Sequence, residues 1–156
     1  MRTVQKSTLS EEGNVAINTG KVVAGGLAAG VVMNVIDYVV NTYVLGARFK
    51  TAMDAVNPSM SAGMEATSSM VTFIVIDFLI GITVVWMYAA MRPRFGAGAG
   101  TAMRAAVLVW FLMGMAWWAW VMAGVMDTTL FAIASVCALI NVGLGAYVGA
   151  MIYKEE

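Results

Sequence analysis

The chain has 156 residues, of which 61% are hydrophobic and 12% are charged. A chain of this length has too little interior to hide that much apolar side chain from water, so its surface must be apolar too and its surroundings must be lipid. The net charge is zero, with one cysteine and no histidine, which excludes a basic nucleic-acid footprint, an intrachain disulfide and imidazole ligands for metals or haem.

Four apolar segments are long enough to cross the ~30 Å hydrocarbon layer, which requires a helix of about 20 residues. They lie at about 22–46, 69–91, 104–126 and 128–152. The runs do not alternate as barrel strands do, so we predict an all-α, membrane-spanning four-helix bundle in one domain, residues 1–156. The first run starts too late and is too long for a cleaved signal peptide, and we interpret residues 1–20 as a polar cytoplasmic segment.

The distribution of lysine and arginine predicts the orientation of the bundle. One side carries seven basic residues and the other carries two. The seven are Arg2, Lys6, Lys21, Arg92, Arg94, Arg104 and Lys154, and the two are Arg48 and Lys50. Because basic residues are enriched in cytoplasmic loops, we expect both termini to lie in the cytoplasm.

The first span carries an acid, Asp37, with Asn34 one helical turn before it and Asn41 one turn after it on the same face. Toward the start of the span, the same face reaches Gly30 and Gly26, a G-x-x-x-G pair. Small residues permit close backbone approach in lipid, so we predict that this face packs against another helix.

The connection after span one is the only substantial segment predicted on the outer side. Its sequence "RFKTAMDAVNP" places Phe49, Met53 and Val56 at helical spacing, and Asn57 and Pro58 end the pattern. We predict a short amphipathic helix at the outer interface, with an irregular loop as the alternative.

The second span has its own acid, Asp77. Measured from the outer ends of their spans at 1.5 Å per residue, Asp37 and Asp77 both lie roughly 12–14 Å deep. Antiparallel neighbouring helices would therefore bring the two carboxyl groups to one level, with no basic residue inside a span to neutralise them. Because an ionised carboxylate is costly in lipid, we expect at least one of them to be protonated at neutral pH and hydrogen-bonded to Asn34, Asn41 or Asn141.

Two connections lead to the last two spans. The stretch "RPRFGAGAGT" at 92–101 is predicted to separate spans two and three, with Thr101 as a possible helix N-cap. The stretch "MDTT" is so short that spans three and four should form an antiparallel hairpin, with Asp127 or Thr128 capping the fourth helix.

The third span is rich in tryptophan and methionine and carries no buried charge. Its tryptophans lie deeper than an interfacial aromatic belt usually does. They form a candidate face for a quinone, a carotenoid, a lipid tail or a neighbouring subunit, with plain lipid-facing packing as the alternative. The residues are Trp110, Trp117, Trp118 and Trp120.

The fourth span contains the stripe Asn141, Gly145 and Gly149, and Gly81 follows Asp77 by one turn. These glycines predict that spans one, two and four pack tightly around a polar layer. The residues of that layer are Asn34, Asp37, Asn41, Asp77 and Asn141. The layer is either a site for a proton, an ion or a polar substrate, or a set of hydrogen bonds that fixes the helix register.

Two sequence patterns resemble those of a family of small four-span bacterial membrane proteins. An N-x-x-[acid]-[Phe/Tyr]-x-x-N pattern fits Asn34, Asp37, Tyr38 and Asn41, and a Tyr-Ala-Ala-x-Arg-Pro-Arg-Phe-Gly run fits residues 88–96. The resemblance covers most of the chain except the N-terminal segment. It implies the four-span fold, a bacterial cytoplasmic membrane and a role for an acid at position 37, where relatives often have glutamate, but it implies no activity.

We do not expect an enzyme, a metal site or a cofactor. The chain has no G-x-S-x-G motif, phosphate loop or Cys/His arrangement, and the motifs that surround the aspartates of intramembrane aspartyl hydrolases are missing. The favoured interpretation is a non-catalytic accessory or assembly subunit of a membrane complex, or a homo-oligomer. The alternative is a small proton- or ion-coupled carrier or channel that uses Asp37 and Asp77.

Overall fold

The computed structural model describes residues 17–154, so most of the predicted polar segment at residues 1–20 lies outside the described residues. The described part is almost entirely helical and contains no strand. Its helices are α1 (Thr19–Val40), α2 (Gly46–Val56), α3 (Pro58–Glu65), α4 (Thr67–Phe95), α5 (Ala99–Met122) and α6 (Thr128–Ile152). A π-helical turn, Asn41–Leu45, joins α1 to α2 without a break.

Four helices of the described chain are long and apolar enough to cross a membrane, which confirms the predicted all-α, membrane-spanning architecture. They are α1 with its continuation through α2, then α4, α5 and α6. Helices α4 and α6 pack against each other, and α1 and α5 each pack against both of them. Because α1 and α5 make no comparable contact with each other, polar groups on α1 meet their partners on α4 and α6.

The bundle has two ends, which we name by what lies there. At the terminal end, α1 and α5 begin and α4 and α6 finish, and the Asn18 backbone N–H donates to the Tyr153 hydroxyl at 3.4 Å. At the hairpin end lie α2, α3 and the turn between α5 and α6. This alternation makes α1 antiparallel to both α4 and α6.

The buried core is concentrated in the half of the bundle next to the terminal end. Its larger members are Val22, Met33, Val84, Val85, Tyr88, Val109, Val142 and Tyr153. The half next to the hairpin end holds only a small cluster of Leu45, Leu130 and Ala134 among the described residues. Along α5, no residue after Val109 is buried. The two halves therefore differ strongly in packing.

Helix α1 continues farther than the sequence predicts. Instead of ending near residue 46, the helix runs through the π turn into α2. The predicted short helix is therefore present as α2, and Asn57 ends it as predicted, but it is continuous with α1. A π turn accommodates an extra residue without ending the helix. Phe49 of α2 packs against the small cluster near the hairpin end, whereas Val56 is exposed.

Helix α3 is absent from the sequence prediction. Asn57 ends α2 and also caps α3, because its side-chain oxygen accepts a hydrogen bond from the Ser59 backbone N–H at 3.0 Å. The Lys50 ammonium joins the two short helices by donating to the Ser61 hydroxyl at 3.2 Å and to the Glu65 carboxylate at 3.1 Å. These contacts close a compact helical hairpin at one end of the bundle.

The connection between spans two and three is shorter than predicted. Helix α4 continues through Pro93, and Gly96, with a φ of 78°, ends it. The prediction that Thr101 caps α5 is wrong. Helix α5 begins at Ala99, and the residue at its cap is Gly98, with a φ of 125°. Thr101 is buried in the first turn, where its hydroxyl donates to the Gly96 carbonyl at 2.7 Å.

The cap of α6 is the one predicted. The Asp127 carboxylate accepts hydrogen bonds from the backbone N–H groups of Thr129 and Leu130 at 2.8 and 2.9 Å. These are two of the donors that the first turn of a helix leaves unpaired. The three residues that connect Gly124 to α6 therefore suffice for the tight reversal between α5 and α6.

Candidate functional site

Glycines bring the backbones of α1 and α4 into contact. A Cβ atom at Gly26 would lie 2.5 Å from the Ile82 Cα, and one at Gly30 would lie 2.8 Å from the Phe78 Cα. A Cβ atom at Gly81 would in turn lie 2.5 Å from the Gly26 carbonyl oxygen and 2.8 Å from the Gly30 nitrogen. No larger side chain fits without moving a helix, so these glycines fix the register of the two helices.

The contact between α1 and α6 is built in the same way. A Cβ atom at Gly145 would lie 2.8 Å from the Met33 Cγ, and one at Gly149 would lie 3.0 Å from the Gly25 carbonyl oxygen. A Cβ atom at Gly25 would in turn lie 2.7 Å from the Gly149 carbonyl oxygen. All five glycines singled out in the sequence therefore lie at the two interfaces of α1, and Gly25 is one that the sequence analysis missed.

These two interfaces bring three polar side chains together within the bundle. They are Asp37 of α1, Asp77 of α4 and Asn141 of α6, which we call the acid–amide cluster. The two carboxyl groups lie within hydrogen-bonding reach of each other, and the Asn141 Nδ2 donates to the Asp37 Oδ1 at 2.6 Å. Asp77 is 7% exposed and Asn141 is 5% exposed, whereas Asp37 is only partly buried, so protein encloses most of the cluster and leaves Asp37 partly accessible.

The chemistry of the acid–amide cluster follows from two carboxyl groups in contact. Two ionised carboxylates at this separation repel each other, and the pair is stable only when a proton or a cation lies between them. Within residues 17–154, neither Asp37 nor Asp77 forms an ion pair with a lysine or an arginine. The cluster is therefore chemically suited to bind and release a proton or a cation.

The Asn141 carboxamide has one further property. Its oxygen, Oδ1, is buried and finds no hydrogen-bond partner among the described residues. Because the amide oxygen and nitrogen share one carbon, Oδ1 lies beside the Asp37 carboxylate that Nδ2 contacts. A buried acceptor without a donor is energetically unfavourable, and this one lies beside a group at which a proton or a cation can bind.

The side chains of the other two asparagines of the predicted polar layer do not bond to the carboxyl group of either acid. The Asn34 Nδ2 donates to the Gly30 carbonyl at 2.8 Å and to the Ile74 carbonyl of α4 at 3.4 Å. The Asn41 Nδ2 donates to the backbone carbonyl of Asp37 at 2.9 Å and is exposed. Asn34 therefore contributes to the contact between α1 and α4, and Asn41 binds only its own helix.

The acid–amide cluster marks the boundary between the packed and the open half of the bundle. On α1 the last buried residue before the cluster is Met33, and on α4 no residue before Asp77 is buried. The π turn begins four residues after Asp37, and π turns within helices are frequent at functional sites. The cluster thus lies where tight packing ends, on the side that leads to the hairpin end.

The four tryptophans of α5 do not share one surface. Trp110 and Trp118 line a groove of about 280 Å³ together with Phe131, and the Trp110 indole N–H donates to the Ser135 carbonyl at 2.8 Å. Trp117 packs toward the small cluster near the hairpin end, and Trp120 is exposed beside a separate groove. A flat hydrophobic ligand could contact at most the first two.

A second aromatic site lies at the terminal end, and two of its residues belong to the 88–96 run of the sequence analysis, which assigned no site to them. The rings of Tyr88 and Tyr153 are both buried and meet edge to face at 6.0 Å. The Arg92 guanidinium lies over both rings, 5.5 Å from the centre of Tyr153, and the Tyr88 hydroxyl accepts from the Gly98 backbone N–H. The signal for this site is the Tyr88–Arg92 spacing of one turn, but the approach of Tyr153, which follows α6, depends on the fold.

No protein-family model matches this chain, and neither a curated protein nor a solved structure matches it. The resemblance to small four-span bacterial membrane proteins therefore stays a prediction from the two sequence patterns.

Proposed function

We propose that this protein is a small proton- or ion-coupled carrier or channel in which Asp37 and Asp77 bind the transported or coupling ion. The observation that carries the proposal is the contact of two carboxyl groups from different helices at the edge of the core. A set of hydrogen bonds that only fixes helix register would need one donor and one acceptor. A second acid next to the first repels it when both are ionised, so the pair gains stability by binding a proton or a cation.

The packing around the acid–amide cluster supports this proposal. Between Met33 and Leu45, no residue of α1 or of the π turn is buried, and α4 holds no buried residue before Asp77. The hairpin side of the cluster is therefore packed less tightly than its terminal side. The glycine contacts of α1 close the opposite, terminal side of the cluster, as expected for a site that opens to one side at a time.

Ion flux into proteoliposomes tests the proposal. We expect vesicles that contain the wild-type protein to dissipate an imposed proton or sodium gradient, and we expect Asp37→Asn and Asp77→Asn each to abolish that flux. Each substitution keeps the size of the side chain and removes its charge. Asp127→Asn is the matched control, because asparagine caps a helix about as well as aspartate and lies outside the acid–amide cluster.

Two results would contradict the proposed function. One is a wild-type protein that is folded in vesicles and carries no flux above that of empty vesicles. The other is a flux that is the same in the wild type, in Asp37→Asn and in Asp77→Asn, because it would show that ions cross without using the carboxyl pair.

A second function, as an accessory or assembly subunit of a membrane complex or as a homo-oligomer, is favoured by the first third of α4. In the ten residues 67–76 no side chain is buried, and the apolar ones are strongly exposed. Met70, Val71 and Val75 are 57%, 52% and 50% exposed. A helix segment that carries many apolar side chains and buries none of them in its own chain is suited to contact lipid or another membrane protein.

Mass measurement in native-lipid particles tests this second function. A subunit or a homo-oligomer would give particles heavier than one chain, and a cysteine introduced as Val75→Cys in a Cys137→Ser background would cross-link them. Particles that contain one chain and no partner would contradict it. A density map of such particles would also show whether a lipid, quinone or carotenoid lies in the groove beside Trp110 and Trp118.

The location and orientation belong to the same proposal. The resemblance supports a bacterial cytoplasmic membrane, and the excess of basic residues at the terminal end supports a cytoplasmic position for both termini. Lys21, Arg92 and Arg94 lie at this end, and Arg48 and Lys50 lie at the hairpin end. A fluorescent protein fused to the C-terminus would fold and fluoresce in the cytoplasm. A dark fusion would place that terminus on the other side.

A further inference from the structure

We infer that the acid–amide cluster binds a monovalent alkali cation, with the Asn141 Oδ1 as a ligand beside the carboxyl oxygens of Asp37 and Asp77. This inference rests on the proposed function and specifies its ion. It is carried by the geometry of three oxygen-bearing side chains, one from each of three helices, that meet in a largely buried site.

The Asn141 Oδ1 is the observation that points to a ligand. A protein interior rarely leaves a buried amide oxygen without a donor, and this oxygen has none among residues 17–154. The Nδ2 of the same amide donates to Asp37, so the side chain is oriented and its oxygen lies beside the Asp37 carboxylate. Carboxylate and amide oxygens are the ligands that hard cations prefer. A cation at this position would satisfy Oδ1 and both acids together.

The charge of the cluster selects a monovalent cation. Two carboxyl groups that share a hydrogen bond hold one proton between them and keep one negative charge. A monovalent cation neutralises that charge, and so does a second proton, so the cluster is neutral in both states. The cation therefore takes the place of the second proton. Neutral states are the ones that a site in lipid can hold at low energetic cost.

A divalent cation fits the cluster less well. With one proton still shared it would leave a net positive charge, and a neutral state would require both carboxyl groups to be ionised. Ca²⁺ also takes about six to eight oxygen ligands. The groups that face the cluster from the three packed helices are Asp37, Asp77 and the uncharged Asn141. No lysine or arginine of the described chain forms an ion pair with either acid, so a bound cation meets no competing positive partner.

Carbodiimide labelling of the full chain in lipid nanodiscs tests this inference. Dicyclohexylcarbodiimide modifies protonated carboxyl groups in apolar surroundings, and mass spectrometry identifies the labelled residue. We expect labelling at Asp37 or Asp77, slowed about tenfold by sodium chloride and unaffected by choline chloride at the same ionic strength, because sodium and the second proton exclude each other.

The Asn141→Ala variant tests the assigned ligand. Without Oδ1, the sodium concentration that halves the labelling rate should rise about tenfold, the loss expected for one contact with a charged group. Asn41→Ala is the matched control, since Asn41 lies one turn from Asp37 and binds only its own helix. It should leave the sodium protection unchanged. Equal protection in Asn141→Ala and the wild type would overturn the role of Asn141.

Thermal unfolding of the wild-type protein keeps the inference testable should Asn141→Ala not fold. A bound cation stabilises the folded state, so the midpoint should be higher in sodium chloride than in choline chloride. Equal midpoints, or labelling that is insensitive to sodium, would overturn the cation site. Protection by calcium but not by sodium would overturn its monovalent character. In each case a proton flux that requires Asp37 and Asp77 would leave the proposed function standing.

Discussion

The two halves of this bundle differ in how closely their helices pack. Next to the terminal end, backbones touch through glycines and the side chains between them are almost inaccessible, as at Val84 and Ala105, both 0% exposed. Next to the hairpin end, long apolar side chains such as Leu112 and Met122 are 61% and 76% exposed. Lipid does not drive apolar surfaces together as water does, so helices separate wherever no specific contact holds them.

The difference in packing between the two halves explains why the acid–amide cluster lies at their boundary. The acid–amide cluster needs a rigid support, which the glycine contacts on its terminal side supply through α1. It also needs space beside it, which the exposed segments of α1 and α4 on its hairpin side supply. A cluster placed deeper in the packed half would have no access, and one placed in the open half would have no fixed geometry.

The largest expected effect comes from breaking the packed half at Gly81. We expect Gly81→Ala to lower the free energy of unfolding by about 1–3 kcal/mol, the usual penalty for overpacking, because its Cβ would lie 2.5 Å from the Gly26 carbonyl oxygen. Unfolding by dodecyl sulfate in mixed micelles, followed by circular dichroism, measures this loss.

Gly114→Ala is the matched control for Gly81→Ala, because it adds the same methyl group in the open half. A Cβ atom at Gly114 would meet no other atom within 4 Å, so the free energy of unfolding should change by less than about 0.5 kcal/mol. If both substitutions had the same effect, the distinction between a packed and an open half would be wrong.

The arrangement of the helices could be predicted from the sequence wherever one physical rule decides it. Backbone groups must be paired inside lipid, so apolar length alone locates the four spans. Glycines spaced by one turn share a face, so the contacts of Gly26, Gly30, Gly145 and Gly149 follow from helical periodicity. The common depth of Asp37 and Asp77 follows from the rise per residue once the helices are antiparallel.

Other features depend on competition that the sequence does not display. Asn34, Asn41 and Asn141 were equal candidates for bonding to the acids, but an asparagine in a helix can instead bond to the carbonyl one turn before it. Asn34 and Asn41 do so. The π turn, the helix α3 and the burial of Thr101 likewise result from tertiary contacts, because local patterns allow several endings for a helix.

A smaller effect is expected at the reversal between α5 and α6. We expect Asp127→Ala to lower the free energy of unfolding by about 1 kcal/mol, the usual loss for a helix cap, because the N–H groups of Thr129 and Leu130 lose their acceptor. Asp127→Asn should restore the cap. The same unfolding assay would contradict this prediction if the alanine and asparagine variants were equally stable. The size of the loss would show how much the Asp127 cap stabilises the hairpin end of the open half.

The smallest effect concerns Trp110, one residue beyond the last buried position of α5. Trp110→Phe keeps an aromatic ring and removes the indole N–H that donates to the Ser135 carbonyl of α6. Interhelical hydrogen bonds in membrane proteins contribute about 0.6 kcal/mol on average, and we expect a loss of that size, measured as unfolding followed by circular dichroism. Trp120→Phe is the control, since Trp120 is 47% exposed in the open half and should tolerate the change. Because α5 contains no buried residue after Val109, the Trp110 bond holds α5 to α6 at the start of the open half, where the next contact is the edge-to-face packing of Trp118 on Phe131. A loss that is equal in both variants would mean that the open half is held by partners of the tryptophans, and would favour the subunit function over the carrier.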